Sequence, residues 1–246
     1  MIPRPKVALF VTCMVDVMYP RVGLAAVVFP EGQTCCGQPA FNAGHRKEAT
    51  KLAANFLAVF GPLVESGEVD AVVAPSGSCT ATVRHSFRVL MEEGATQQLR
   101  DWARLVGDHT HELSEYLVDV LGVEATGAEA SCTLTYHACC HLLRDLRVDR
   151  QPRTLLENLR GSDLIDLEEA EECCGFGGAF AVWNAEISTE MGLRKARHLD
   201  ATGAEIVAVG DVGCMTHING ILVRRGHRCR AVHIAELLID DPEGGS

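Results

Sequence analysis

DAVVAPSGSC at residues 70–79 and EIVAVGDVGC at residues 205–214 follow one plan: an acidic residue, an apolar run, a glycine-bearing turn and a cysteine. A short β-branched run bounded by turn residues reads as a buried strand, so each stretch predicts a strand whose far end delivers a cysteine. Upstream of each lies a helical pattern, HRKEATKLAANFLAVFGPLVESG at 45–67 and NAEISTEMGLRKARHLDATG at 184–203. Before each helix stands the triplet Cys-Cys-Gly, as Cys35, Cys36 and Gly37 and again as Cys173, Cys174 and Gly175. Further upstream, VALFV at 7–11 leads to Cys13, and TLTYHA at 133–138 leads to Cys139 and Cys140. HELSEYLVDVLG at 111–122 and VHIAELLIDD at 232–241 close the two series.

Landmarks that recur in one order indicate a degenerate tandem repeat. Their spacings agree, since Cys36 to Cys79 spans 43 positions and Cys174 to Cys214 spans 40. LGVEATGAEAS at 121–131 lacks an apolar face and marks the boundary, giving halves 1–125 and 126–246. Strands alternating with helices predict an α/β fold of two pseudo-symmetric halves, each with a parallel sheet and ligands gathered at the strands' carboxyl ends. One spacing breaks the symmetry: Cys13 to Cys35 is 22 positions and Cys140 to Cys173 is 33. RVGLAAVVFPEG at 21–32 therefore leaves little room for a helix and a returning strand.

The 246 residues suit one large domain or two smaller ones. No apolar run reaches the ~18 residues of a membrane span, and the start lacks a cleavable export signal, so a cytoplasmic protein is expected. A net charge of −11 without a basic cluster argues against nucleic-acid partners. Eleven cysteines in such a chain point to metal or redox chemistry rather than disulfides.

Each half offers four convergent thiols: Cys13, Cys35, Cys36 and Cys79, then Cys140, Cys173, Cys174 and Cys214. Four thiolates suit an iron–sulfur cluster or a structural zinc. Zinc knuckles draw on cysteine pairs a few residues apart, whereas these ligands are spread through a fold with its own core, which favours iron–sulfur. Inert buried thiols are the third reading. The glycine after each pair lets backbone amides approach an anionic site. Cys132, Cys139 and Cys229 have no counterpart in the opposite half and read as small buried hydrophobes, with Cys139 close enough to substitute for Cys140.

FVTCMVDVMYPRVG, FPEGQTCCGQPAFNAG, APSGSCTATVRH, YHACCHLLRDL, CCGFGGAF and GCMTHI together span almost the whole chain and resemble the lactate utilization protein A family. That family is related to the CCG-bearing component of heterodisulfide reductase and to the iron–sulfur component of glycolate oxidase through its cysteine-rich CCG domains. The resemblance implies two pseudo-symmetric α/β halves holding one or two iron–sulfur clusters. It also implies an electron-transfer subunit of a cytosolic complex that oxidises L-lactate to pyruvate, with partner subunits of B and C type. Where the reductase relatives carry CxxC, this chain has Cys79-Thr-Ala-Thr82 and Cys214-Met-Thr-His217, which favours a conventional four-iron cluster. The rival functions are a heterodisulfide or thiol-disulfide reductase subunit, against which the missing CxxC argues, and a zinc-stabilised binding protein without redox chemistry.

His217 occupies a place where relatives have a thiolate, as a ligand, a hydrogen-bond donor or a plain surface histidine. His85, His137 and His141 are candidate proton carriers, though histidines near strand ends are more often satisfied by backbone. GFGGAF at 175–180 lacks the remaining positions of a phosphate or dinucleotide loop. Trp102 and Trp183 read as core or interface residues. No residue is assigned to catalysis.

Overall fold

The computed structural model describes residues 5–12 and 30–239. The chain forms two compact units, Met1–Leu113 and Ser114–Ser246. Cys13 and the short segment before Cys35 lie largely outside the described residues.

In the first unit, β1 (Val7–Leu9), β2 (Ala71–Ala74) and β3 (Thr110–Glu112) form a parallel sheet in that order. The central strand β2, Ala-Val-Val-Ala, is buried along its length, as expected of a parallel strand covered on both faces. The Cys-Cys-Gly triplet enters α1 (Gln38–Asn42), then α2 (Arg46–Glu65). Ala49, Ala53, Phe56, Leu57, Phe60 and Val64 recur at helical spacing and form the buried stripe of α2 against Ala8, Phe10, Val72 and Ala74. After β2, α3 (Gly77–Ala81) runs through a π-helical turn, Thr82–Ser86, and α4 (Gln97–Asp108) leads to β3.

The second unit repeats this plan, and its described residues form four strands. Its strands β4 (Thr133–His137), β5 (Asp163–Ile165), β6 (Ile206–Val209) and β7 (Arg230–His233) lie parallel in the order β5-β4-β6-β7. The helices are α5 (Arg150–Glu157), α6 (Ala185–Thr202), α7 (Val212–Arg225) and α8 (Ile234–Leu237). Strand β5 falls between Cys140 and Cys173, the longer of the two unequal spacings; the matching segment of the first unit lies outside the described residues. The expected α/β architecture, with a parallel sheet in each repeat, is present.

Strand register sets the correspondence between repeats. Ala8 pairs with Val72 in β2, and Thr135 pairs with Val207 in β6, each partner being the second residue of its strand. Two residues further on, Phe10 therefore matches His137; in the sequence Cys13 and Cys140 each come three residues after these.

Candidate metal centres

Both central strands end in a capped helix that carries a cysteine in its first turn. Ser76 Oγ accepts the Cys79 amide at 3.3 Å, and Asp211 Oδ1 accepts the Gly213 amide at 3.0 Å. Cys79 and Cys214 thus lie three residues after matching caps.

The triplet glycines explain themselves. Gly37 and Gly175 have φ of 82° and 93°, the left-handed region. A Cβ at Gly175 would stand 2.6 Å from the Ser188 carbonyl, and one at Gly37 would stand 3.2 Å from Leu52 Cβ. This backbone path turns the glycine amide onto the first cysteine of each pair: Gly37 N–H donates to Cys35 Sγ and Gly175 N–H to Cys173 Sγ, both at 3.4 Å.

The sulfurs converge. Cys36 and Cys79 stand 3.4 Å apart and Cys174 and Cys214 3.3 Å apart. In the first unit Cys35 also bonds Cys36, and in the second Cys140, Cys173, Cys174, Cys214 and Cys139 form a continuous chain of contacts. Hydrogen bonds from Cys140 and Cys174 hold the Cys173 thiol far below its usual range. Cys140 and Cys174 are raised in turn by their bonds to Cys173, and Cys214 by bonds with Cys139 and Cys174 and by burial. Bonds with Cys35 and Cys79, and burial, raise Cys36. Without a cation, a set of this kind ionises one sulfur at its neighbours' expense; a bound metal releases the remaining protons. The donor set therefore fits a thiolate-bound metal or cluster.

Of the eight expected ligands, seven fall among the described residues and group as three in the first unit and four in the second. Cys13 lies outside them. Cys139, expected as a buried hydrophobe, is indeed buried, yet its sulfur joins the second group beside Cys214. Cys132 and Cys229 belong to neither group; burial raises both thiols, that of Cys229 to about 11.

Among the histidines, His217 Nε2 turns to Ser188, 3.4 Å from its carbonyl and 3.5 Å from its Oγ. Burial lowers its pKa. His141 faces Asp145 at 3.9 Å, and His85 is exposed. His137 is fully buried at the end of β4, its Nδ1 3.1 Å from the Ala170 carbonyl. Burial, then the charge of Lys195, lowers its pKa to about 4. One of its ring nitrogens and the sulfurs of Cys174 and Cys214 lie within 4.8 Å of one another. Lys195, buried on α6, donates from Nζ to the carbonyls of Glu169 at 2.5 Å and Ala170 at 3.4 Å. Burial lowers its pKa while Glu172 and the sulfurs of Cys174, Cys140 and Cys214 oppose that shift. Lys195 is legible in principle, because Ser188, Gly192, Lys195, Ala196 and Leu199 make one helical stripe.

Trp102 packs over Gly61 and donates to Glu65 Oε2 at 3.1 Å, whereas Trp183 is exposed with Val182 and Ile187. Among the described residues no helix is long and apolar enough to cross a membrane.

The chain matches the family described as the CCG cysteine-rich domain twice, over residues 7–84 and 134–219. It is 41% identical to lactate utilization protein A of Bacillus pumilus over 245 residues, with 95% of this chain and 98% of that protein covered. It is 39% identical to the protein of that name from Geobacillus sp. (strain WCH70) and 38% identical to that from Bacillus subtilis (strain 168), with the same coverage. Of solved structures, a putative Asp/Glu racemase from Yersinia pestis aligns over 94% of this chain and 95% of its own at 9% identity. Its TM-score is 0.37, too low to bear on the fold.

Proposed function

This chain belongs to the lactate utilization protein A family, and we propose that it is the iron–sulfur electron-transfer subunit of a cytosolic complex oxidising L-lactate to pyruvate. Each half of the duplication, 1–125 and 126–246, is proposed to hold a cluster. Cys13, Cys35, Cys36 and Cys79 would bind the first, and Cys140, Cys173, Cys174 and Cys214 the second. The observation that carries this reading is the chain of close sulfurs built twice on one plan. B- and C-type subunits would be its partners.

A bound iron–sulfur cluster supplies one-electron chemistry. The chain's own residues prepare its place. The buried pairs Cys36 with Cys79 and Cys174 with Cys214 keep water from the inner side of each site, while the half-buried Cys35, Cys140 and Cys173 form its outer edge. Gly37 and Gly175 donate amide hydrogen bonds to Cys35 and Cys173, which moderates charge on those sulfurs without a titrating side chain.

Anaerobic purification, iron and acid-labile sulfide analysis, and EPR after dithionite reduction test the cofactor. Bound iron with matching sulfide is expected, and near-zero iron with stoichiometric zinc would overturn the reading. Assay of the assembled complex with L-lactate, glycolate and a disulfide tests the substrate; turnover of the disulfide alone would assign it to the reductase rival.

A further inference from the structure

Two positions beside the cysteines hold chemically opposite pairs in the two units. Register matches Phe10 to His137. The triplet glycines match the helices: the space beside Gly37 is bounded by Ala49 O and Leu52 Cβ, and that beside Gly175 by Ser188 O and Met191 Cβ. Seven residues after Ala49 and Ser188 come Phe56 and Lys195, both on the buried stripe. In the first unit Phe10 and Phe56 meet edge to face, centroids 4.7 Å apart. In the second, His137 and Lys195 both reach the Ala170 carbonyl.

A carbonyl only accepts, so the Nδ1 contact puts the imidazole proton on Nδ1. Nε2 of the neutral ring then carries a lone pair, is buried, and has no hydrogen-bond partner. The bland alternative is a core histidine satisfied by backbone, which accounts for Nδ1 but leaves Nε2 desolvated and bare. Nor does the fold demand the polar pair, because the same framework accepts two phenylalanines in the first unit. A ring nitrogen of His137 lies within 4.8 Å of the Cys174 and Cys214 sulfurs, and a cation among these groups would stabilise the bare lone pair. The fixed second nitrogen on a backbone carbonyl is the usual support of a metal-bound histidine.

We infer that His137 supplies a nitrogen ligand at the second cysteine group, so that the two centres, built on one plan, differ in ligand chemistry. This rests on the reading of the cysteines as cluster ligands. The first unit carries Phe10, whose side chain has no donor atom, at the matching position.

The test is pulsed EPR for nitrogen coupling on the full-length, anaerobically reconstituted and reduced protein, with and without ¹⁵N-histidine labelling. Iron is measured on the same samples. The expected result is a strong histidine nitrogen coupling in wild type that changes with the label, is lost in His137→Phe and His137→Gln, and persists in His217→Gln. His137→Cys should retain iron and titrate at a lower reduction potential, since imidazole in place of thiolate raises potential. Bound iron without a label-sensitive coupling, or with one that survives substitution of His137, overturns this inference and leaves the cluster reading standing. Absence of iron from wild type overturns both.

Discussion

Cys174 and Cys214, 40 positions apart in the chain, place their sulfurs 3.3 Å apart across the end of one parallel sheet. Cys36 and Cys79 repeat the relationship at 3.4 Å in the other unit. If each pair anchors its own centre, Cys36→Ser and Cys174→Ser should each lose about half of the bound iron, because removing a buried ligand empties one site and spares the other. Iron per chain after anaerobic reconstitution measures this, and unchanged iron in both variants would refute the ligand assignment.

His137 makes the metal-free protein acid-sensitive. Its folded-state pKa is about 4 against an ordinary 6.5, chiefly because burial penalises the charged ring. The unfolded chain therefore binds a proton that the folded chain rejects. Stability is fully present above pH 6.5 and falls as pH drops from 6.5 towards 4, by about 3 kcal/mol in all. Urea titrations of metal-free wild type across that window should show the slope. His137→Phe, which copies Phe10, should remove most of it.

The triplet glycines should tolerate alanine unequally. Left-handed backbone costs a non-glycine residue about 1–2 kcal/mol, and Gly37→Ala should lose about that much. Gly175→Ala adds a clash with the Ser188 carbonyl and should lose more. Denaturation midpoints of the two variants, measured together, give the comparison; equal losses would show that the helix behind Gly175 yields.

Lys195 sets a positive charge near the second sulfur group. Replacing it in Lys195→Met removes a charge that favours the reduced, more negative state of a bound cluster, so the potential of that centre should fall while the first is unmoved. Redox titration followed by EPR reads both, and a shift confined to the first centre would contradict the assignment.

Much of this arrangement is legible in the sequence because landmarks come in coupled sets. AVVA and IVAV announce the central strands, and the helices behind each Cys-Cys-Gly show one apolar stripe. The polar pair is less legible. A lysine within a charged helix reads as solvent-facing until its stripe is counted, and a histidine after a strand announces no partner until the chain brings Ala170 to it. Cys139 has no counterpart in the other half, yet a sulfur's usefulness depends on where its neighbours lie. The break at 121–131 and the packing division at 113/114 differ for a similar reason. The turn Tyr116–Val120 follows β3 in the chain, but Val118 lies in the core of the second unit and Asp119 accepts from Arg150.

Cys35 and Cys173 each accept one hydrogen bond from a main-chain amide, and this bears on how the protein can be altered. A hydrogen bond from a side chain is open to every codon change, whereas one from the backbone follows from the path of the chain. Substitution at Gly37 or Gly175 can strain or break that path, but it cannot swap the donor for another chemical group. These two sulfurs therefore keep one donor in common, and divergence between the halves is channelled into the residues around them. A D-alanine, whose natural backbone preference is the left-handed one, would preserve the bond to Cys35 where L-alanine strains it.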